Sequence, residues 1–428
     1  MTYFFMFHTI KQRIPTPCLQ VYHYCLARLA AFWYGHPSRH LIVIGVTGTN
    51  GKTTTAYLIA KALESPEVKT GCTTTAIFKI GEREWLNDTK MTMPGRFFLQ
   101  RMLRQMVDAG CRYAVIETSS QGLIQSRHIG IEYNIGVFTN LTPEHLEAHG
   151  GFEKYQRAKR ILFEHVATAV INADSPYGEY YAATPGLKRV VWFGAKGIVA
   201  EDIKLSEHGS TFRVGDIEVS LSLPGRYNIE NALAALATSV ACGVDFAQAA
   251  ERLASVKQVP GRMERIEEGQ PWTVIVDYAP EPESMRQMYQ ALVLIPHKRI
   301  IHVLGSCGGG RDQSRRPILG QLAAQNADVV IITNEDPYDE DPERIIDQVL
   351  EGAVRAGKIL GQTVYRISDR REAIFKAMEL AESNDLVVMT GKGSELWMCV
   401  GNGQKIPWDE REVAREGIRG KIKPTCLS

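Results

Sequence analysis

The sequence predicts an α/β chain made of two successive units, each built on a mainly parallel sheet, with a phosphate-binding loop at the start of the first. Three observations predict this. Short β-branched runs alternate with helical periodicity from residue 40 onward; the alternation breaks and restarts near residues 258 to 264; and the Gly/Thr-rich stretch VTGTNGKTTT directly follows the first apolar run.

The N-terminal stretch MTYFFMFHTIKQRIPTP has neither a basic region ahead of an apolar core nor a small-residue cleavage site, so no signal peptide is expected. Next comes CLQVYHYCLARLAAFWYG, residues 18 to 35, where Gln20, His23 and Arg28 interrupt the apolar run before it reaches a membrane-spanning length. An amphipathic helix is expected. It either packs on its own domain or lies weakly at a membrane interface with Trp33 and Tyr34 at its edge.

The first sheet is expected from HLIVIGV, YAVIET, IGVFTN and TAVINA, with helices in KTTTAYLIAKALE and FEKYQRAKRILFEHV. Between residues 198 and 222 three strand-like runs crowd together without helices, which predicts a small antiparallel addition. LPGRYNIENALAALATSVACG then returns to a helix. A second series, WTVIVDYA, RIIHVLGS, DVVIITN, TVYRIS and DLVVMTG, predicts a Rossmann-like domain, with Pro260 and Gly261 marking the junction. The expected division is an N-terminal helical segment at 1–40, a central domain carrying the phosphate loop at 41–260 and a C-terminal domain at 261–428.

Composition narrows the function. With 49 basic and 48 acidic residues the formal charge is +1, which leaves no basic footprint for nucleic acid. The eight cysteines form no C-x-x-C pair, so reduced thiols in a cytoplasmic protein are expected rather than a zinc site or a disulfide framework.

The loop carries the chemistry. A strict Walker A pattern would begin with glycine where this chain has Val46, yet the working parts are present. Gly48, Thr49, Asn50 and Gly51 form the turn, Lys52 offers an ammonium to phosphate, and Thr53 and Thr54 open a helix whose amides seek anions.

From TGTNGKTT onward the chain resembles the Mur ligase family, in particular its tripeptide-synthetase branch. The resemblance continues in order through ETSSQGLIQSR, FTNLTPEHLEAHG, YQRAKRILF, VINAD, LPGRYNIENALAA, VPGRMERI, VDYAP, GSCGGGRDQSRRP, DRREAI, TGKGSE and WDEREVARE, spanning about residues 41 to 415. It implies an ATP-dependent amide-bond ligase of peptidoglycan precursor synthesis. Such an enzyme phosphorylates a substrate carboxylate and lets an amine attack the acyl phosphate, with Mg2+, two ions in the expected arrangement, neutralising charge.

By the same resemblance Lys52 holds the β/γ-phosphates, Thr53 and Glu117 hold one Mg2+, and His145 serves a second. Lys159 matches the family lysine that is carbamylated by CO2. Asn228 and Asn231 match adenine-side contacts, and Arg262 and Asp277 match an interdomain pair reaching phosphate and ribose. Thr92, Ser119, Gln125 and Arg127 match positions that hold the muropeptide acceptor. Arg311, Gly391 and Glu395 match positions for the incoming amino acid.

The chain departs from the family where diaminopimelate-adding members read D-N-P-R, since it has Glu335, Asp336, Pro337 and Tyr338; the two acids suggest a cationic side chain such as lysine or ornithine. Gln121, Pro280 and Ser394 replace family histidines. The segment before the loop, about 40 residues, is shorter than the family's uridine-nucleotide domain, so the acceptor is either held differently or is not a UDP-sugar. A lipid-linked muropeptide, a folylpolyglutamate-like acceptor and a nucleotide-binding scaffold remain as alternatives. A monomer acting on ATP, an amino acid and a muropeptide acceptor is expected.

Overall fold

The computed structural model describes residues 16–144 and 146–422. The first unit is an eight-stranded sheet in the order Arg83–Leu86, Ile77–Ile80, Lys69–Thr73, Cys111–Glu117, Ile42–Thr47, Ile135–Phe138, Thr168–Asn172, Arg189–Phe193. All neighbours are parallel except the hairpin pairings at the Arg83–Leu86 edge. Ile42–Thr47, wholly buried beyond its first residue, lies between Cys111–Glu117 and Ile135–Phe138. Ligands of parallel sheets sit beyond the carboxyl ends of such strands. The glycine loop leaves there.

One face of this sheet is covered by the helices Lys52–Leu63 and Arg226–Ala241, whose alanine-rich runs allow close approach. The other is covered by Arg96–Asp108, with Leu99, Met102, Leu103 and Met106 buried. The crowded strands Glu201–Ser206, Gly209–Val214 and Ile217–Leu221 form the antiparallel addition.

The helix Thr16–Trp33 packs against its own domain through Ala27, Ala30 and Ala31, while Val21, Tyr22, Leu29, Phe32 and Trp33 stay exposed. Among the described residues no helix is long and apolar enough to cross a membrane.

The second unit is a six-stranded sheet, Glu264–Arg265, Thr273–Val276, Leu386–Met389, Ile300–Leu304, Val329–Ile332, Val364–Arg366, parallel except for its first pair. Its strands are almost continuously apolar because helices cover both faces. A short hairpin, Trp397–Val400 with Gln404–Pro407, extends from it toward the first unit.

Within this sheet His302 is fully buried between the Tyr289 hydroxyl (2.5 Å) and Thr390 Oγ1 (2.9 Å). Burial, aided by the Arg370 charge, pushes its pKa down to about 3. The folded chain therefore binds fewer protons here than the unfolded one. Stability from this group is present above the unfolded value near 6.5 and is lost as pH falls toward 3. In thermal melts across that window, His302→Gln is expected to flatten the acid-side decline; a slope equal to wild type would remove His302 as its source.

Candidate active site

Three strand ends build the loop's socket. Asn140, just beyond Ile135–Phe138, accepts from the Thr49 amide through its carbonyl (2.9 Å) and from the Asn50 amide through Oδ1 (2.8 Å). Gly48 has φ +152°, and a Cβ there would lie 1.9 Å from Thr139 Oγ1; at Gly51, φ +79°, it would meet Asn231 Oδ1 at 2.3 Å. Both positions require glycine. The helix starts at Lys52, so the loop amides and the positive helix end face the cleft.

Lys52 Nζ donates to Thr49 O (2.7 Å). Burial pushes its pKa down, against the pull of the nearby Glu117 and Glu144 carboxylates. Glu117, at the end of its strand, accepts from the Thr53 hydroxyl (2.9 Å) and the Thr75 amide (2.7 Å). Two hard oxygen donors thus meet beside the phosphate loop, a donor set suited to Mg2+.

Lys159 comes from the helix Phe152–Arg160 and is buried, its Nζ donating to Gly48 O at 2.6 Å and lying 4.4 Å from the Tyr155 ring centre. Burial, reinforced by the Lys52 charge, pushes its pKa well below that of a free lysine. His145 lies outside the described residues. Its neighbour Glu144, absent from the sequence-derived set, is buried in the cleft near Lys52 and Lys159, and burial raises its pKa to about 8.

Asn231 Oδ1 accepts from Thr55 Oγ1 (3.0 Å) and its Nδ2 donates to Asn228 Oδ1 (3.1 Å), while Asn228 Nδ2 donates to Pro224 O (2.7 Å). This chain of bonds ties the Arg226–Ala241 helix to the helix Lys52–Leu63 that follows the glycine loop. From the second unit, Arg262 reaches Thr53 Oγ1 (3.2 Å) and stacks 4.5 Å from the Tyr278 ring centre. Asp277 accepts from the Met263 amide (2.7 Å); burial pushes its pKa up while Arg262 opposes the shift.

The cleft between the units encloses about 590 Å³ and is lined by Thr49 through Thr54, Thr92, Glu117, Ser119, Arg127, Lys159, Asn231, Arg262, Asp277, Arg311 and Tyr338 among others. Gln121 and Pro280, two of the family departures, also line it. At the acceptor end Ser119 caps a short helix by accepting from the Gly122 amide, and Thr92 Oγ1 meets Thr75 Oγ1 at 2.8 Å. Gln125 lies behind Arg127, its Oε1 2.6 Å from Nη2. Arg96 and Arg127 stand close enough that burial and Arg96 together push Arg127 down to about 10. Among the described residues neither guanidinium has a carboxylate partner, so the pair favours an anion.

At the other end Glu335 and Asp336, the two acids suggested to favour a cationic side chain, are engaged by groups of the chain itself. Glu335 is buried, and burial raises its pKa as it accepts from the Cys307 thiol (2.7 Å). Asp336 is ion-paired with Lys392 (3.1 Å) and Lys90 (2.5 Å). Neither carboxylate is left for an incoming cation. Pro337 turns the backbone, its carbonyl accepting from Glu340, and Tyr338, at φ +52°, faces the cleft. Gly391 has φ +101°, and a Cβ there would strike Glu335 Oε2 at 2.1 Å; Glu395 pairs with Lys392 and Lys90.

This geometry agrees with comparisons to known proteins. The Mur ligase middle domain family matches residues 46–239, and the Mur ligase glutamate ligase domain matches 261–393. A UDP-N-acetylmuramyl-tripeptide synthetase of Roseiflexus sp. (strain RS-1) is 41% identical over 431 residues, covering 95% of this chain and 84% of the relative. The chain belongs to the Mur ligase family. A Geobacillus kaustophilus (strain HTA426) relative, named UDP-N-acetylmuramoyl-L-alanyl-D-glutamate--2,6-diaminopimelate ligase, is 39% identical with 92% of this chain and 82% of the relative covered. A solved structure of a ligase with that name aligns at TM-score 0.59 and 31% identity over 90% of this Mur ligase and 79% of that chain. A Mycobacterium tuberculosis folylpolyglutamate synthase aligns at TM-score 0.68 but 19% identity, covering 85% and 91%, and shares the fold.

Proposed function

We propose that this Mur ligase uses ATP to join an amino acid to a carboxylate of a muropeptide precursor. The observation that carries the reading is the single cleft in which the glycine loop, Glu117 and Lys159 of one unit meet Arg262, Asp277 and Arg311 of the other, with Arg127 at its acceptor end. The acceptor carboxylate oxygen attacks the γ-phosphorus and ADP leaves. The amino-acid nitrogen then attacks the acyl carbon, phosphate departs and the amine gives up a proton.

Lys52, the loop amides and Arg262 hold the phosphates during the first step, where charge spreads over the transferring oxygens. Thr53 and Glu117 would hold Mg2+, which when bound neutralises phosphate charge; Lys159 as its carbamate and His145 are assigned to a second ion. Asn228 and Asn231 serve the adenine side, and Asp277 the ribose. Thr92, Ser119, Gln125 and Arg127 orient the acceptor, and Arg311, Gly391 and Glu395 form the amino-acid end. Tyr338 stands where diaminopimelate-adding members have arginine, so it gives no charged grip on a distal carboxylate.

The test is ATP-dependent phosphate release by the full chain with UDP-N-acetylmuramoyl-L-alanyl-D-glutamate and a panel of amino acids, with the product identified by mass. Amino-acid-dependent release with a mass gain of one residue is the expected result. ATP binding without release for any acceptor, UDP-linked or lipid-linked, would leave a scaffold instead.

The exposed apolar face of Thr16–Trp33 supports weak association with a membrane surface. No acidic residue precedes Glu64, while Arg28 lies on the helix itself. Co-sedimentation with anionic vesicles is expected to fall on Phe32→Ser with Trp33→Ser. Equal recovery of wild type and variant in the supernatant would refute the association.

A further inference from the structure

Lys90 belongs to the first unit, in the loop between the strand Arg83–Leu86 and the helix Arg96–Asp108. The buried Asn87 fixes that loop, donating from Nδ2 to Thr74 O (2.7 Å) and Met91 O (3.0 Å) and accepting at Oδ1 from the Thr89 amide (2.9 Å) and hydroxyl (2.7 Å). Lys90 itself takes φ +58°, a conformation that costs a non-glycine residue energy and persists where surroundings enforce it.

The enforcement comes from the second unit. Lys90 Nζ lies 2.5 Å from Asp336 Oδ2, 3.0 Å from Glu395 Oε2 and 2.9 Å from Trp397 O, which engages all three of its protons. Its side chain is only 6% exposed. On the other side Lys392 Nζ meets the same three residues, at 3.1, 2.9 and 2.8 Å. Two carboxylates and two ammoniums therefore balance. Lys392, Asp336 and Glu395 all belong to the second unit, whereas Lys90 comes from the first, and the Trp397 indole clasps the same loop by donating to Asp88 O (2.8 Å).

We infer that Lys90 is a specificity-determining residue: its tethered ammonium fills the acidic subsite between Asp336 and Glu395 when the units close, so the incoming amino acid is not selected for an ammonium there. The inference rests on the reading that the Glu395 end of the cleft receives the amino acid. Without Lys90 the two carboxylates share one ammonium, and a second cation is wanted. The protein's own lysine supplies it.

Lysine and norleucine differ only in that terminal ammonium, and they make the test. In Lys90→Ala, kcat/KM for lysine relative to norleucine is expected to rise by about tenfold or more, the scale of leaving a buried charge unpaired. Added propylammonium is expected to push the ratio back, and Lys90→Arg to keep the wild-type ratio. Lys90→Met retains the stem and serves if the alanine variant folds poorly. Calorimetric binding of both amino acids to the complex with a non-hydrolysable ATP analogue gives the same comparison without turnover. An unchanged ratio with binding intact would overturn the role of Lys90; failure of every panel amino acid to bind wild type would remove the amino-acid reading beneath it.

Discussion

Lys52→Ala is expected to lower ATP-dependent ligation by about 10³-fold or more, the scale on which a fixed cation acts on a transferring phosphoryl group. The geometry makes the loss specific to this side chain. Its Nζ is anchored to Thr49 O (2.7 Å) inside the turn whose amides face the cleft, so the ammonium is held where phosphate would sit before any ligand arrives. Burial works against its charge, and Glu117 and Glu144 only partly compensate. Triphosphate oxygens complete the compensation. The interaction is therefore strongest when the γ-phosphoryl group carries most charge, and kcat should fall more than affinity for ATP. ADP formation under saturating ATP, compared with nucleotide binding by calorimetry, checks this. A loss confined to ATP affinity, with kcat retained, would place Lys52 outside the phosphoryl-transfer step.

The parts of the site legible in the sequence are those where chemistry imposes a local spacing. The loop could be read because Gly48 and Gly51 each occupy a place that a Cβ would fill, and because a strand precedes them and a helix follows. Strand ends such as Glu117 could be read from the β-branched runs they terminate. Lys90 and Glu144 could not: a single lysine or glutamate in a loop carries no period, and what makes them functional is burial against distant groups. Asp336 shows the cost. Read alone it looked free to select a cation, yet its partner Lys90 lies 246 positions away in sequence. The hairpin Ile77–Ile80 with Arg83–Leu86 was missed for a smaller reason, since only Gly81 at φ +58° signals its two-residue turn.

Lys159 carries the second large effect. A lysine in water holds its proton, and an ammonium has no lone pair with which to attack CO2. Here burial and the Lys52 charge drive the group well below its ordinary pKa, which favours the neutral amine, the form with a lone pair available. Attack on CO2 would form one N–C bond, release one N–H proton and leave a carbamate. The anion would relieve two strains at once, since it pairs with Lys52 and replaces an unfavourable buried cation by a metal-seeking oxygen donor. Lys159→Ala is thus expected to cut kcat by about 10²–10³, as for loss of one preorganised electrostatic group. Lys159→Glu, which restores a carboxylate on a shorter arm, should recover part of it. Wild type handled in CO2-free buffer should lose activity and regain it on adding bicarbonate, and 13C-labelled bicarbonate should give a carbamate resonance that Lys159→Ala lacks. Full activity in the alanine variant, or the same labelled resonance in both proteins, would show that this buried amine stays unmodified and that the anionic donor must come from elsewhere in the cleft.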